Sequence, residues 1–425
     1  MYLQKIIWQL RYFLSGCQNL RKISLKRMLK LLIFLIFLGS CSKNYTSSGK
    51  IETDEIWKGK IKLKGDVIVE ELATLKILEG SRITYSKKSN FNTHYIKSSP
   101  IGNVDVLQDD RIEIIVKGVL KVIGKDGKEV IFEGKKQAGG IVFLSDKKGS
   151  IIRFAKFFKT GVAIRCYGES NPVIENVYIK GSELGGIGLW DTSKPVIKKV
   201  EIEDSLHGIG VSDFSEPEIS SCVIMGIKKA GIFTEGDSKA RVFSNKVTGC
   251  NVGIAIGDIS KPEIFKNSIS GCGAGISMWV NAEPRIYENK IFKNITGIVI
   301  QEEAKPYIFK NEFFENGGGI GANDGAEPVI EENRFFSNPK SIIASGGSIL
   351  RVFRNIISSS KVGIFVDSTA RVYLKDNKFY NVIEKTKVLN KAKIIEKLSF
   401  LFIITVGLKR QKKFMIKFLL IKQRI

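Results

Sequence analysis

Histidine is almost missing from this chain of 425 residues, with His94 and His207 the only two. The six cysteines form no C-x-x-C pair. Neither a zinc site of ordinary spacing nor a histidine-rich metal centre can therefore be assembled. Long apolar runs are lacking too. The stretches 31–38 and 398–408 hold eight and 11 residues, well short of the roughly 20 that a spanning helix needs. Acidic residues are outnumbered 43 to 67 by Lys and Arg, for a net charge of +24. That excess would suggest nucleic acid if it were spread over the chain, but it is not. Residues 1–49 carry +8 and residues 384–425 carry +10, so the centre keeps only +6. Nucleic acid is excluded as a partner on this ground.

What the chain has instead is a period. Asn245, Asn267, Asn289, Asn311, Asn333, Asn355 and Asn377 follow one another at steps of 22 residues. An apolar residue lies two positions after each, from Val247 and Ile269 to Phe379. A Gly-Ile pair recurs at Gly186, Gly208, Gly231, Gly253, Gly275, Gly297, Gly319 and Gly363, with Ser341-Ile342 filling the gap. Prolines mark a third position: Pro172, Pro195, Pro217, Pro262, Pro284, Pro306 and Pro328. A fixed period in this range means a solenoid, each repeat burying its apolar residues against its neighbours. Within a repeat the apolar residues alternate in short bits (Ile264, Ile269, Ile276, Met278), which is the period of strands and leaves no room for a helix. Three short strands per 22 residues make one coil of a single-stranded parallel β-helix, all-β in class, with coils roughly 4.8 Å apart. Stacking gives the asparagines a structural role, because a buried turn amide is satisfied by the amides above and below it.

The Pro-x-Ile, Asn-x-Ile and Gly-Ile pattern resembles the right-handed parallel β-helix superfamily that includes pectin lyases and NosD-like periplasmic proteins. The resemblance covers residues 55–383 and implies the fold far more strongly than any chemistry, since the motif consists of core and turn residues. Val69, Ala73-Thr74-Leu75, Ile77 and Gly80 are similar to the phrase that caps the opening coil in bacterial members. The expected organisation has four parts. Residues 1–40 are a signal region, with Met28 an alternative start. Residues 41–57 are a lipidated cysteine and a flexible tether. Residues 58–383 form about 14 coils, roughly 65 Å long. Residues 384–425 are a basic and apolar tail, which is a C-terminal cap containing a short helix over 384–397, a membrane-surface segment or a spurious extension. The insertion from Ser86 to Leu107 is expected as a loop or flap.

Export follows from Lys26-Arg27-Met28-Leu29-Lys30, the run Leu31–Leu38 and the small residues after it. Leu38-Gly39-Ser40-Cys41 resembles the lipobox of bacterial lipoproteins, which implies lipidation of Cys41 and a place in the bacterial cell envelope, anchored to a membrane. Cys250 and Cys272 are one period apart and should stack; an exported protein could oxidise them, although packing of small residues in a turn column accounts for them as well.

Alternation also assigns an outer face to the Gly-Ile strand. One outward column reads Gly188, Gly210, Phe233, Ala255, Ser277, Val299, Gly321; the next reads Trp190, Ser212, Glu235, Gly257, Trp279, Gln301, Asn323. Acids follow at Asp191, Asp213, Asp237, Asp258, Glu302 and Asp324. Trp190 and Trp279, four coils or about 19 Å apart, are expected to point outward over a floor of small residues, where a sugar chain would stack. Gln301 and Asn323 would complete the binding surface. The superfamily resemblance implies a substrate cleft on this strand. Asp213, Glu235 and Asp258 are the candidates for catalysis, and these three with Asp237 for holding a hard cation such as Ca2+; turn-fixing is the plainer account of them. The Asn-Thr-Asp, Asp-Asp and Gly-His-Gly motifs of polygalacturonase-like hydrolases are missing, as is a lyase-like arginine motif, and two histidines speak against copper handling. The expected protein is a monomeric, lipid-anchored module that binds polysaccharide or another envelope polymer, with no required cofactor. The alternatives are a polysaccharide lyase or glycoside hydrolase, and a purely structural envelope lipoprotein.

Overall fold

The computed structural model describes residues 45–86, 111–134, 138–144 and 149–396. They hold 40 strands in one continuous assembly whose inter-strand ladders are all parallel. The coils number about 14, with no helix among the described residues. One repeat shows how the sequence produces this. Glu263–Phe265, Ser268–Ser270 and Ala274–Met278 pair in register with Arg285–Tyr287, Lys290–Phe292 and Thr296–Ile300 of the next coil. Each three-residue strand sends one residue inward, Ile264 and Ile269, and the five-residue strand sends two, Ile276 and Met278; all four are fully buried. The core is a pile of such residues, every coil closing the one before it.

Between the first two strands the chain turns a corner in a single left-handed residue: Lys266, Glu288, Lys310 and Glu332 have φ of 54–56°. The asparagine that follows repairs the corner. The Asn289 side-chain amide donates to the Ile264 carbonyl at 2.9 Å and to Asn311 Oδ1 at 2.9 Å, while its own Oδ1 accepts from the Asn267 backbone N–H at 2.9 Å and Nδ2 at 3.0 Å. The ladder runs unbroken from Asn245 to Asn377, and Cys222 sits beneath it with its N–H donating to Asn245. A second ladder occupies the next corner. Asn294 donates to Asn316 and Asn316 to Asn338, and Cys272 is linked to it through its N–H on Asn294. Cys250 and Cys272 lie in this column as free, buried thiols, in agreement with small-residue packing.

The structure corrects both ends of the expected solenoid. Residues 45–57 are no tether: Tyr45–Ile51 pairs with Lys60–Val69, and Glu55–Trp57 pairs with Thr74–Leu78. Ile51 and Trp57 are buried in the core, so the polar surroundings of these two residues hid a starting coil. At the other end Glu384–Val388 and Lys393–Ile395 are strands, each paired to the coil before, where a short helix was expected. Cys41, the signal region, the insertion 87–110 and the tail 397–425 lie outside the described residues.

Candidate functional site on the outer face of the Gly-Ile sheet

The third strand of each coil builds the candidate face. Its glycines are demanded by the stack: a Cβ at Gly253 would lie 2.4 Å from the Gly275 carbonyl oxygen, and one at Gly231 would lie 2.7 Å from that of Gly253. With that position filled by hydrogen, the coils close and the next outward residues form columns in register. Gly188, Gly210, Phe233, Ala255, Ser277, Val299 and Gly321 are partners from coil to coil.

Trp190 does not stand out from this face. It is only 3% exposed, folded back over Gly188 and stacked on Tyr167 with ring centroids 4.8 Å apart. Ile68, Ile115 and Val142 join them in an apolar cluster outside the solenoid interior. The alternation rule gave the correct side of the strand, but the ring lies down on the small residues the rule had taken for an open floor. Trp190 is therefore a packing residue. Beside the cluster, Arg165 is buried and paired with Glu113, whose N–H donates to Asp66 at 2.9 Å.

Trp279 behaves differently. It packs over Gly257 and reaches back to Phe233, the ring centroids 6.2 Å apart and the planes 20° from parallel. Ala255, between them in sequence register, points outward and is nonetheless buried. The two rings meet across the coil that carries Ala255 and Gly257 and make a half-exposed aromatic platform. Gln301 and Asn323 follow Trp279 in the next two coils, each half-buried, with their backbone N–H groups tied to the preceding coil at 3.0 Å. The structure thus brings Trp279, Gln301 and Asn323 together and leaves Trp190 apart. Phe214, at 60% exposure, and Ile259, at 50%, rise from the adjoining turns. Neither they nor Phe233 was singled out from the sequence; all three were readable only as members of turn and strand columns.

The acids divide. Asp191, Asp213 and Asp258 occupy the left-handed corner after the strand, with φ of 54–59°, a conformation that aspartate tolerates better than most residues. Each carboxylate accepts a backbone N–H of the coil before: Asp191 from Gly168 at 2.8 Å, Asp213 from Asp191 at 3.0 Å and Asp258 from Gly236 at 3.1 Å. Gly236 holds the corner in its own coil, so Asp237, grouped with this column from the sequence, falls one residue beyond it. Glu235 stands inside the column, next to Ser212, whose hydroxyl donates to it at 3.0 Å. Burial pushes the Glu235 carboxyl up to about 7, against the Ser212 hydrogen bond and with help from the Asp258 and Asp213 charges. His207, at the start of a strand on the same sheet, is held down at about 4 by burial and by Lys229. No group of three or more acidic, histidine or cysteine side chains placed to hold a metal ion occurs among the described residues. The acids carry hydrogen-bonding and proton-donating capacity; the rings carry apolar contact.

Among solved structures the chain is similar to a point mutant of the periplasmic alginate epimerase AlgG (12% identity, 82% of this chain and 84% of that one covered, TM-score 0.43). It is similar also to the A-module of the Azotobacter vinelandii mannuronan C-5 epimerase AlgE4 (12% identity, 76% and 91% covered, TM-score 0.40) and to the catalytic domain of a GH87 alpha-1,3-glucanase in complex with tetrasaccharides (11% identity, 78% and 68% covered, TM-score 0.43). No curated protein matches the sequence. The model of the right-handed β-helix region matches residues 128–261 and 230–379, more than half the chain and the span in which the asparagine ladder and the Gly-Ile sheet were traced. The chain belongs to the right-handed β-helix family.

Proposed function

We propose that this chain is an exported protein, lipid-anchored at Cys41 in a bacterial envelope, that binds a saccharide polymer along the outer face of its Gly-Ile sheet. The observation that carries the reading is the Phe233–Trp279 platform, two half-exposed rings stacked across one coil with Trp279 packed on Gly257. Rings anchored this way offer apolar area at little entropic cost on binding. Glu235, Gln301 and Asn323 supply hydroxyl partners alongside, and the rigid coil spacing repeats the contacts along the face. The test is a glycan-array screen with the purified protein, with and without calcium. Binding to one polymer class is expected, and Trp279→Ala should weaken it about fivefold or more, equivalent to about 1 kcal/mol. Wild-type binding indifferent to Trp279→Ala would remove the platform from the reading. For the anchor, Cys41→Ser should release the protein from membranes and end lipid labelling; unchanged labelling would refute it.

Glu235 favours a second reading. A carboxyl titrating near neutral pH is suited to proton transfer, so the same face would serve a lyase or hydrolase. Product release from acidic polysaccharides by the wild-type protein, lost in Glu235→Gln, would establish turnover; no release leaves binding as the function.

A further inference from the structure

A different sheet of the coil carries a second feature. Phe243, Phe265, Tyr287 and Phe309 point outward from successive first strands. Their ring centroids are 5.0, 5.0 and 4.9 Å apart and their planes lie within 15° of parallel. Rings stacked in this manner use their faces on one another and show solvent only edges. Glu331 is next in register and ends the stack. Tyr307, from the neighbouring outward position, leans onto Phe309 at 4.4 Å and donates its hydroxyl to Glu331, which also receives Arg354. Where the next ring would have been, a cavity of about 470 Å³ opens. Its lining is apolar at Tyr307, Val329 and Phe353 and charged at Glu331, Arg351 and Arg354, with Val329 between Tyr307 and Arg351 in register and Glu331 between Phe309 and Phe353.

The charges of the lining are largely compensated. Arg354 is bound to Glu331 and to Glu332, the latter at 3.1 Å, and Arg351 faces Glu327 at 4.0 Å. Lys375 is the one lining cation with no ion pair among the described residues, and it is exposed. An anion drawn to Arg351 or Arg354 would compete with carboxylates already in place, and Lys375 offers it only an exposed, solvated ammonium. A hydroxyl, by contrast, can accept from a guanidinium while donating to Glu331, breaking neither pair.

We propose that this slot is a separate site for one neutral hydroxylated ring, a pyranose unit, with an apolar ring face on Tyr307 and Val329 and hydroxyls on Glu331, Arg351 and Arg354. The site is independent of the Phe233–Trp279 platform, which lies on another sheet, and stands if that platform binds nothing. The test is saturation-transfer NMR on the full-length protein with methyl α-D-glucopyranoside, methyl α-D-galactopyranoside and methyl α-D-mannopyranoside, and with glucuronate and benzoate as anionic probes. At least one methyl glycoside should bind saturably with a Kd in the millimolar range, as a single ring in an open slot allows. Val329→Trp, which fills the slot, should weaken it about tenfold or more. Tyr307→Ala provides a second variant with a cavity enlarged rather than filled, and should weaken it similarly. Trp279→Ala should leave it unchanged. The proposal is overturned by no saturable glycoside binding up to about 50 mM, by binding of glucuronate or benzoate in preference to the glycosides, or by glycoside binding that survives whichever of the Val329 and Tyr307 variants folds.

Discussion

Replacing Asn289 by leucine should separate the ladder from ordinary packing. The Asn289 side chain is 1% exposed and makes four hydrogen bonds: two as donor, to the Ile264 carbonyl and Asn311 Oδ1, and two as acceptor, from the backbone and side chain of Asn267. Leucine supplies none of them. Asn311 keeps the Asn289 backbone N–H, and the Asn267 side chain keeps the Val242 carbonyl. The Asn267 backbone N–H and the second N–H of its side-chain amide keep no other hydrogen bond, and the Ile264 carbonyl loses a donor. Two orphaned buried N–H groups cost about 1–3 kcal/mol each, and a weakened carbonyl adds to it. A loss of roughly 2–6 kcal/mol is therefore expected, less whatever leucine recovers by its apolar contacts. Asn377, at the top of the column, bonds the Val352 carbonyl and Asn355 in the same way. It is half-exposed, however, so water can replace the missing amide and Asn377→Leu should cost less than about 1 kcal/mol. Urea midpoints of the two variants provide the comparison, and hydrogen exchange of the peptide containing Asn267 provides the local check, protection falling in Asn289→Leu alone. Equal midpoint losses, or an Asn267 amide still protected in Asn289→Leu, would refute the stacking argument.

Three further outcomes are expected. Trp190→Ala should cost about 3–5 kcal/mol in the same melts, because the ring is buried on Tyr167; a near-neutral effect would return Trp190 to the exposed face. Glu235 binds its proton more tightly in the folded than in the unfolded chain, so stability falls as pH rises from about 4.5 to about 7. Glu235→Gln should match wild type near pH 4 and exceed it at pH 8 by about 1–2 kcal/mol, a figure reduced for its partial exposure; identical pH profiles would contradict the buried-acid assignment. His207 is held neutral, so its contribution is lost as pH falls from 6.5 toward 4, and His207→Gln should flatten the acid limb of Tm against pH; an acid limb as steep as wild type would count against it.

The face was harder to read than the fold. Asn245 to Asn377 could be aligned by eye, and each turned out to lie in the ladder, because a solenoid places residues one period apart in direct contact. The same rule, which assigns sides of a strand, put Gln301 and Asn323 beside Trp279, and both are half-buried there. Trp190 and Trp279 share a column and a side, yet one is buried and the other half-exposed. Their difference lies in the neighbours: Tyr167 stacks below Trp190, while Phe233 meets Trp279 across two coils. Alternation carries no information on χ angles, so it cannot say whether a large ring stands up or lies down over glycine. The acids show the same limit. Asp213 and Asp258 are two residues beyond the strand and serve the corner, Glu235 is one residue beyond it and is half-buried beside Ser212, and a shift of one position changes a turn-former into a titrating group.

Period and patterning by themselves determined the solenoid, the stacking of identical positions, the asparagine columns and the outward direction of the candidate face, since each follows from repetition and from the two-residue alternation of a strand. Only the tertiary structure decided that residues 45–57 open the first coil, that Trp190 is packed while Trp279 and Phe233 share a platform, and that an open slot interrupts the stack at Glu331. Those outcomes depend on side chains reaching across coils to partners 20 or more residues away, and a rotamer is chosen by the shape of the space it enters, which no one-dimensional pattern contains.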